Sequence, residues 1–203
     1  MKFNKPLEEV FSARSSITVL RILNERNKGI SGREISRLTS LSLRTVQIAL
    51  ANLEQTGILK RFIGNKEHLF VLNRENYFTK NLIEVIFKEE DNFRQNIFSE
   101  IRKKIGKEAI SLIFFGSAAR GTDTADSDLD ICVVYEGNNK VLEGKVADLR
   151  SKLFGSFNVT LAPLYITVVK FREMYRKEKS PVKQIVKEGR LIAGKKIRAL
   201  LNG

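Results

Sequence analysis

The sequence offers almost nothing from which a disulfide or a histidine–cysteine metal centre could be built. Its 203 residues include one cysteine and one histidine. Because a disulfide needs two thiols, Cys132 excludes an internal cross-link and is typical of a protein in a reducing compartment. His68 has no partner ligand in sequence reach, so we interpret it as structural.

Long apolar runs, a signal peptide and flexible linkers are missing as well. No apolar run approaches the about 18 residues of a membrane-spanning helix, so we predict no contact with a membrane. Without a recognisable signal peptide, the expected location is the cytoplasm. With three prolines in the chain and no Gly/Ser/Pro-rich stretch, the sequence predicts a stiff joint between any two domains.

Positive charge and apolar residues are plentiful instead. The chain is 42% hydrophobic and carries a formal net charge of +13. It can therefore bury a sizeable core in one or two domains. Residues 1–72 carry an excess of +6 and residues 104–203 an excess of +7, whereas residues 73–103 are neutral. This balance predicts an anionic partner, with nucleic acid first.

Two aspartates open an apolar stretch in the second half of the chain. Asp128 and Asp130 lie two residues apart, and alternate residues of a strand share one face, so their carboxylates are expected to project together. Like charges repel unless a cation lies between them. Oxygen ligands suit a hard cation, and we predict magnesium, or manganese, holding the phosphates of a nucleotide.

A glycine and a serine precede these aspartates. The apolar residues at 110 and 112–115 predict a buried strand that ends at Gly116 and Ser117. Gly116 would let the backbone approach a ligand closely, and Ser117 would cap the next helix and offer its hydroxyl. The start of that helix would direct N–H groups at an anion, so we predict a phosphate site beside the metal site.

The spacing resembles that of the DNA polymerase β superfamily of nucleotidyltransferases, and most closely its minimal nucleotidyltransferase branch. The signature of that family is Gly-Ser, ten residues, then Asp-x-Asp, and residues 118–127 are the ten. The resemblance implies two catalytic, metal-binding carboxylates and four nucleotide-binding residues. The carboxylates would be Asp128 and Asp130, and the nucleotide-binding residues Gly116, Ser117, Arg120 and Ser127.

The chain departs from this family at one place. Family members that transfer nucleotides usually carry a third carboxylate on the third strand, where Thr160 is the matching position. No Asp or Glu occurs from Leu149 to Arg172, so a register error cannot supply one. General-base catalysis contributes about 10²–10⁴-fold, so transfer is expected to suffer more than binding.

The first 72 residues predict three helices followed by two strands. Apolar spacing predicts a helix over residues 7–26, a capping box at Ser31 and Glu34 opens a short helix, and Ser42 caps a third that ends near Gly57. Strands are expected over residues 58–63 and 69–72. This order resembles the winged helix-turn-helix of bacterial and archaeal transcription regulators.

That resemblance implies binding to duplex DNA through the third helix and the wing. Base or phosphate contacts would come from Ser42, Arg44, Thr45 and Gln47, and wing contacts to phosphates from Lys60, Arg61 and Lys66. The alternative is a module for protein docking or dimerisation, in which case the chain would form a homodimer.

We therefore predict an α/β (α+β) protein of three parts. These are a winged helix-turn-helix domain over residues 1–72, a connector helix over 73–103, and a nucleotidyltransferase domain over 104–203 with a mixed sheet flanked by helices. After the second strand we expect a helix over residues 140–154, a strand over 157–166, a helix capped by Thr167, and a last helix from Ser180 and Pro181.

Three functions remain open at this point. The first is an active nucleotidyltransferase that moves a nucleoside monophosphate from a triphosphate to a protein or small-molecule hydroxyl. Relatives that act as antitoxins modify a tyrosine of a partner toxin, often of the HEPN type. The second is a nucleotide-sensing transcription regulator with impaired catalysis, and the third is a scaffold. The signature disfavours the third, so we expect a transferase-family protein coupled to DNA binding.

Overall fold

The chain forms two compact units, here called unit 1 (Met1–Asn92) and unit 2 (Phe93–Gly203). The structure is a computed structural model, and it describes residues 4–64, 67–138 and 140–202. Lys66, one of the predicted wing residues, lies outside the described residues. No helix in the described part is long and apolar enough to cross a membrane.

Unit 1 combines short helices with a small antiparallel sheet. Its elements are, in order, α1 (Leu7–Val10), α2 (Arg14–Asn24), β1 (Ile30–Ser31), α3 (Gly32–Thr39), α4 (Leu43–Gln55), β2 (Leu59–Ile63), β3 (His68–Leu72), a π-helix (Thr79–Ile83) and the beginning of α5 (Glu84–Ile105). The strand order is β1-β3-β2. Leu59 lies opposite Leu72 and Ile63 opposite His68, so β2 and β3 form the expected hairpin.

The predicted helix caps of unit 1 are confirmed. The Ser31 hydroxyl accepts a hydrogen bond from the Glu34 N–H (3.3 Å), and the Ser42 hydroxyl accepts one from the Thr45 N–H (3.1 Å). Each bond satisfies one of the N–H groups that the first turn of a helix leaves without a partner. The helices therefore begin where the sequence indicates.

The single helix predicted over residues 7–26 is wrong. The chain breaks between α1 and α2, where Ala13 adopts an extended conformation (φ −147°, ψ 151°). Val10 and Val19 are nine residues apart, which is about two and a half turns at ~3.6 residues per turn, so one straight helix would point them in opposite directions. The break lets both reach the same core, where both are 0% exposed.

Unit 2 is built around a mixed sheet. After the rest of α5, its elements are β4 (Ser111–Phe114), α6 (Gly116–Arg120), β5 (Leu129–Tyr135), α7 (Lys140–Phe157), β6 (Leu161–Thr167), α8 (Val168–Arg176), α9 (Val182–Glu188), β7 (Arg190–Gly194) and α10 (Ile197–Leu201). The strand order is β6-β5-β4-β7, in which β5 and β6 are parallel and the other pairs antiparallel. The predicted α/β (α+β) class with a mixed sheet is confirmed.

Alternation along the strands places apolar side chains on both faces of this sheet. Ile131 and Val133 of β5 pack into one cluster with residues of α5 and α7, whereas Cys132 and Val134 pack into another with residues of α8 and α9. Because helices cover both faces, residues 112–114 of β4 and 131–134 of β5 are apolar without polar alternation. Burial raises the pKa of the Cys132 thiol to about 12, as expected for a thiol packed in a core.

Three boundaries in unit 2 differ from the prediction. The helix expected over residues 140–154 extends to Phe157, and Asn158 ends it in the left-handed region (φ 52°), so β6 begins only at Leu161. The helix after Pro181 is not the last element, because β7 and α10 follow. β7 pairs with β4, which adds a fourth strand to the sheet.

Candidate active site

The Gly-Ser and Asp-x-Asp segments meet where β4 ends and β5 begins. Phe114 lies opposite Ile131 in the antiparallel ladder, and the Phe115 N–H donates a hydrogen bond to the Asp130 carbonyl oxygen (3.1 Å). The pairing therefore places Gly116 beside Asp130, although fourteen positions separate them in the sequence.

Gly116 is required by the Asp130 side chain. Its φ of 78° lies in the left-handed region, and a Cβ atom built on it would lie 1.9 Å from Asp130 Oδ2. Real Cβ atoms do not approach so closely, so only glycine leaves room for this carboxylate. The sequence had predicted close approach to a ligand, whereas the close approach within the chain is to Asp130.

Ser117 does not cap a helix, contrary to the prediction. The helix begins one residue earlier, at Gly116, and its N-cap is Phe115, which makes no side-chain capping bond. α6 is also only five residues long, so little helix dipole supports an anion there. Within the described residues, the half-buried Ser117 offers a hydroxyl with no hydrogen-bond partner, while its carbonyl oxygen accepts from the Thr122 N–H (3.0 Å).

The two carboxylates differ in exposure. Asp128 is exposed and Asp130 is half-buried. Burial, followed by the charge of Asp128, raises the pKa of the Asp130 carboxyl, and the Arg120 guanidinium lowers it. Neither carboxylate forms an ion pair within the part of the chain that the structure describes. A cation between them would relieve both effects that raise the pKa.

This donor set fits magnesium. Mg²⁺ is often bound through one or two carboxylates together with substrate phosphates and water, so two protein ligands can suffice. Among residues 4–64, 67–138 and 140–202, no three histidine, cysteine, aspartate or glutamate side chains cluster to form a metal cage. A metal at Asp128 and Asp130 would therefore depend on a nucleotide for further ligands.

The other two residues of the predicted nucleotide site already have partners. Arg120 Nη1 lies 3.1 Å from Glu188 Oε2 at the end of α9. Ser127 Oγ accepts a hydrogen bond from the Thr124 N–H (2.9 Å), which closes a turn just before Asp128. Arg120 is exposed and Ser127 half-buried.

Thr160, the position predicted to match the third carboxylate of the family, lies next to Asp128 in the register. The Leu129 N–H donates to the Thr160 carbonyl oxygen (2.8 Å), and the parallel register continues with Asp130 opposite Ala162. In-register neighbours of parallel strands direct side chains to the same face. Thr160, which is exposed and directly precedes β6, and the half-buried Ala162 within β6 are thus the positions at which a carboxylate could be introduced beside the aspartates.

A cleft of about 330 Å³ opens beside Asp128, and most of its lining was missed by the sequence analysis. Its wall includes Phe93, Arg94 and Phe98 of α5 together with Ser127 and Asp128. The sequence analysis placed Phe93 within the connector helix without giving it a role, and 45% of it is exposed. A phenylalanine one turn before the buried Ile97 carries no signal that distinguishes a cleft wall from a core.

The predicted DNA-binding residues of α4 lie at its start. Ser42, Arg44 and Gln47 are exposed, and Thr45 is half-buried. The hydroxyls of Ser42 and Thr45 lie 2.8 Å apart and hydrogen-bond to each other. Arg44 forms no ion pair among the described residues.

The two predicted wing cations that the structure describes, Lys60 and Arg61, are paired instead. Lys60 Nζ lies 2.5 Å from Glu75 Oε2, and Arg61 Nε lies 3.0 Å from Glu54 Oε1. Beside them, 87% of Ile63 is exposed. The surface around β2 is therefore less positive than the residue types alone indicate.

Comparison with known proteins finds a family similarity in one of the two units. Residues 95–192 match the nucleotidyltransferase domain family, and no curated protein matches the chain. One similar solved structure is a toxin–antitoxin with AMP-PNP (18% identity, 51% of this chain and 80% of that chain, TM-score 0.36). Another is a mutant of the toxin–antitoxin MntA-HpeT (17%, 53% and 79%, 0.37).

A third solved structure is that of TrmBL2, an archaeal chromatin protein with a novel mode of DNA binding (13% identity, 91% of this chain and 73% of that chain, TM-score 0.29). All three TM-scores are below 0.5, so these likenesses carry no argument about either unit. The family match over residues 95–192 lies within unit 2 and includes Gly116, Ser117, Asp128 and Asp130, so unit 2 is the part of the chain that is similar to a nucleotidyltransferase domain.

Proposed function

We propose that unit 2 binds a nucleoside triphosphate with magnesium or manganese and transfers its nucleoside monophosphate to a hydroxyl of a protein or small molecule. One observation carries this proposal. The β4–β5 pairing and the missing side chain of Gly116 let the Asp130 carboxylate lie against the Gly116-Ser117 segment, and Asp128, whose charge acts on Asp130, lies two residues before it. A free acidic loop would not require a glycine whose Cβ position is filled by a carboxylate.

Each residue would have a distinct role. Asp128 and Asp130 would hold the metal, which when bound would supply positive charge to the phosphate oxygens. The Ser117 hydroxyl would donate to a phosphate oxygen. Arg120 uses one N–H for Glu188, and a guanidinium carries five N–H donors, so others remain for a phosphate.

The transfer would be an in-line displacement. The acceptor oxygen would form a bond to the α-phosphorus. The bond from that phosphorus to the oxygen that bridges the α- and β-phosphates would break, releasing pyrophosphate. The hydroxyl proton would pass to a base or to water. β6 contains no carboxylate, so we propose that the site binds nucleotide better than it turns it over. The alternative function is a nucleotide-sensing regulator with impaired catalysis.

Labelled triphosphates test this function. We expect label from the α-phosphate of ATP, GTP, CTP or UTP to appear on an acceptor, with release of pyrophosphate and no transfer of a γ-label. The product of an adjacent gene, such as a HEPN-type toxin, is the first acceptor to use. Nucleotide binding without any transfer would favour the sensing regulator. An absence of magnesium-dependent binding of all four nucleotides would contradict both functions.

We propose further that unit 1 is a winged helix-turn-helix that binds duplex DNA through the start of α4. Two exposed residues support this proposal: Arg44, which has no ion-pair partner in the part of the chain that the structure describes, and Gln47. Each neutralised phosphate contributes about −0.9 to the slope of log affinity against log salt. Arg44→Ala is expected to reduce sequence preference. Affinity that is indifferent to salt would favour protein docking or a homodimer instead.

A further inference from the structure

We propose that the cleft beside Asp128, here called the α5 cleft, receives the base and ribose of the nucleotide, and that Phe93 provides the surface on which the base stacks. This inference rests on the proposed nucleotidyltransferase function and extends it to a second part of the ligand. It assigns a role to α5, which contributes nothing to the Gly-Ser and Asp-x-Asp segments.

The α5 cleft is continuous with the proposed phosphate and metal site. Ser127 and Asp128 line it on one side, and Phe93 and Phe98 line it on the other. Its volume of about 330 Å³ lies at the small end of the range of about 300–1,000 Å³ for small-molecule sites. A ligand whose phosphates lie at Asp128 can therefore place its remainder in this cleft.

The charges of the lining indicate which part of the ligand enters. Asp123 and Asp128 contribute two negative charges to the wall, and Arg94 contributes one positive charge. A triphosphate would be repelled from this wall without a cation, whereas a nucleoside is neutral. A nucleotide has a neutral nucleoside, which suits the cleft, and an anionic phosphate tail, which suits a metal held by the neighbouring carboxylates.

Phe93 and Phe98 differ in how far the protein covers them. Phe98 is half-buried and packs against Phe114 with ring centroids 5.2 Å apart, so it belongs to the core. Phe93 meets Phe157 at an interplanar angle of 72° and a centroid distance of 5.8 Å, which is not parallel stacking. With 45% of Phe93 exposed, an aromatic surface remains for a base, and every base has a π-face that can stack on it.

The test compares a base-containing ligand with one that lacks a base. Calorimetric titrations with magnesium would use ATP, GTP, CTP, UTP and inorganic tripolyphosphate. We expect at least one nucleotide to bind wild type more tightly than tripolyphosphate does. Phe93→Ala should weaken that nucleotide about fivefold or more, from the ~1–3 kcal/mol of a base–aromatic stack, and should leave tripolyphosphate binding unchanged.

Two further variants separate stacking from packing. Phe154→Ala is the matched control, because Phe154 is 60% exposed on α7 and does not line the cleft; its nucleotide affinity should equal that of wild type. Phe93→Leu retains an apolar side chain against Phe157 but loses the ring, so it should behave like Phe93→Ala. Unchanged tripolyphosphate binding also serves as the measure that each variant remains folded.

Several results would overturn the inference. Equal affinity of wild type for tripolyphosphate and all four nucleotides would mean that no base occupies the cleft, which would then suit the acceptor. Full nucleotide affinity in Phe93→Ala, or an equal loss of tripolyphosphate, would reject the stacking role. If wild type binds neither probe, the proposed function fails and the inference falls with it, whereas a failure confined to Phe93 leaves the proposed function intact.

Discussion

The candidate metal-binding carboxylates of unit 2 and the predicted wing cations of unit 1 differ in whether they have charged partners. In unit 2, Asp128 and Asp130 form no ion pair within the described residues, although burial raises the pKa of Asp130. In unit 1, Lys60 and Arg61 each contact a glutamate. An adjacent pair of uncompensated charges destabilises a fold unless a ligand is meant to neutralise it. The comparison therefore favours a ligand site in unit 2 more strongly than a phosphate-binding wing in unit 1.

The largest expected effect is the loss of ligand stabilisation when the carboxylate pair is removed. A nucleotide with magnesium at about 100 times its dissociation constant should stabilise wild type by roughly 2.7 kcal/mol. The paired Asp128→Asn and Asp130→Asn variant should lose this gain while remaining folded without metal. Thermal unfolding with each of the four nucleotides measures it. If the variant keeps the magnesium-dependent shift, the metal must bind somewhere other than at these two carboxylates.

A substitution at Gly116 tests whether the glycine serves the carboxylate. Gly116→Ala places a Cβ atom where Asp130 Oδ2 lies and is strained by its φ of 78°. The left-handed conformation alone costs about 1–2 kcal/mol. Gly137→Ala is the matched control, since Gly137 has a φ of 72° and nothing within 4 Å of the added atom.

Both alanine variants should lose unfolding free energy, measured by urea titration, but only Gly116→Ala should also lose magnesium-dependent nucleotide binding. If both keep binding equally, the contact between Gly116 and Asp130 has no role in the site. If Gly137→Ala also loses binding, the defect lies in general stability.

Much of the fold could be predicted because local chemistry decides it. Ser31, Ser42 and Thr167 cap helices with the bonds that their spacing indicates, and the apolar runs of β4 and β5 become buried strands. β7 could not be predicted, because it is a short segment within a basic stretch and is a strand only through its pairing with β4. The break between α1 and α2 likewise depends on the shared core.

The candidate site likewise contains residues that the sequence predicts and residues that depend on how distant segments pack. The spacing of Gly116, Asp128 and Asp130 is local, and the structure places them beside one another. The α5 cleft combines Phe93 with Val159, which are far apart in the sequence and whose meeting depends on how α5 packs on the sheet. Ser117 was wrongly predicted to be a cap, because the positive φ of Gly116 could not be foreseen.

Introducing a carboxylate beside Asp128 or Asp130 is expected to raise turnover by about tenfold or more. The register allows two positions, Thr160 beside Asp128 and Ala162 beside Asp130. A general base contributes about 10²–10⁴-fold when correctly placed, and a first substitution will reach only part of that. Thr160→Asp should raise transfer of α-label, with Thr160→Asn as the neutral control, and should make the melting temperature more dependent on magnesium.

Ala162→Asp distinguishes the two positions, since Ala162 is half-buried and a carboxylate there should cost more stability without metal. Robust transfer by wild type would show that the acceptor or another carboxylate supplies the base. Thr160→Asp behaving as Thr160→Asn at every magnesium concentration would show that position 160 does not face the metal.

A smaller effect is expected where unit 1 carries paired charges. Glu75→Gln removes the partner of Lys60, so the lysine becomes free for a phosphate. If the wing binds DNA, affinity should rise by about two- to threefold at low salt and the salt slope should steepen by up to about 0.9. Stability should change little, as for exposed ion pairs in general. Unchanged DNA affinity in Glu75→Gln would exclude Lys60 from the interface.

The smallest expected effect is a difference in how stability depends on pH. It compares two carboxylates of unit 2 in the absence of metal: Asp130, which has no ion pair within the described residues, and the paired Glu173. The raised pKa of Asp130 means that the folded state keeps its proton longer than the unfolded state, so this group lowers stability as pH rises from its ordinary value through the raised one. Hydrogen bonds from Lys177 and Lys170 lower the pKa of Glu173 to about 2, so Glu173 adds stability that is complete above its ordinary pKa and is lost as pH falls towards 2.

In urea titrations with a chelator, Asp130→Asn should therefore be at least as stable as wild type at pH 7, and Glu173→Gln less stable. Both differences in stability from wild type should be smaller at pH 3. The difference for Glu173→Gln is limited in size, because salt screens exposed ion pairs. A destabilised Asp130→Asn at pH 7 would mean that the chain itself compensates this charge, which would remove the electrostatic argument for a metal.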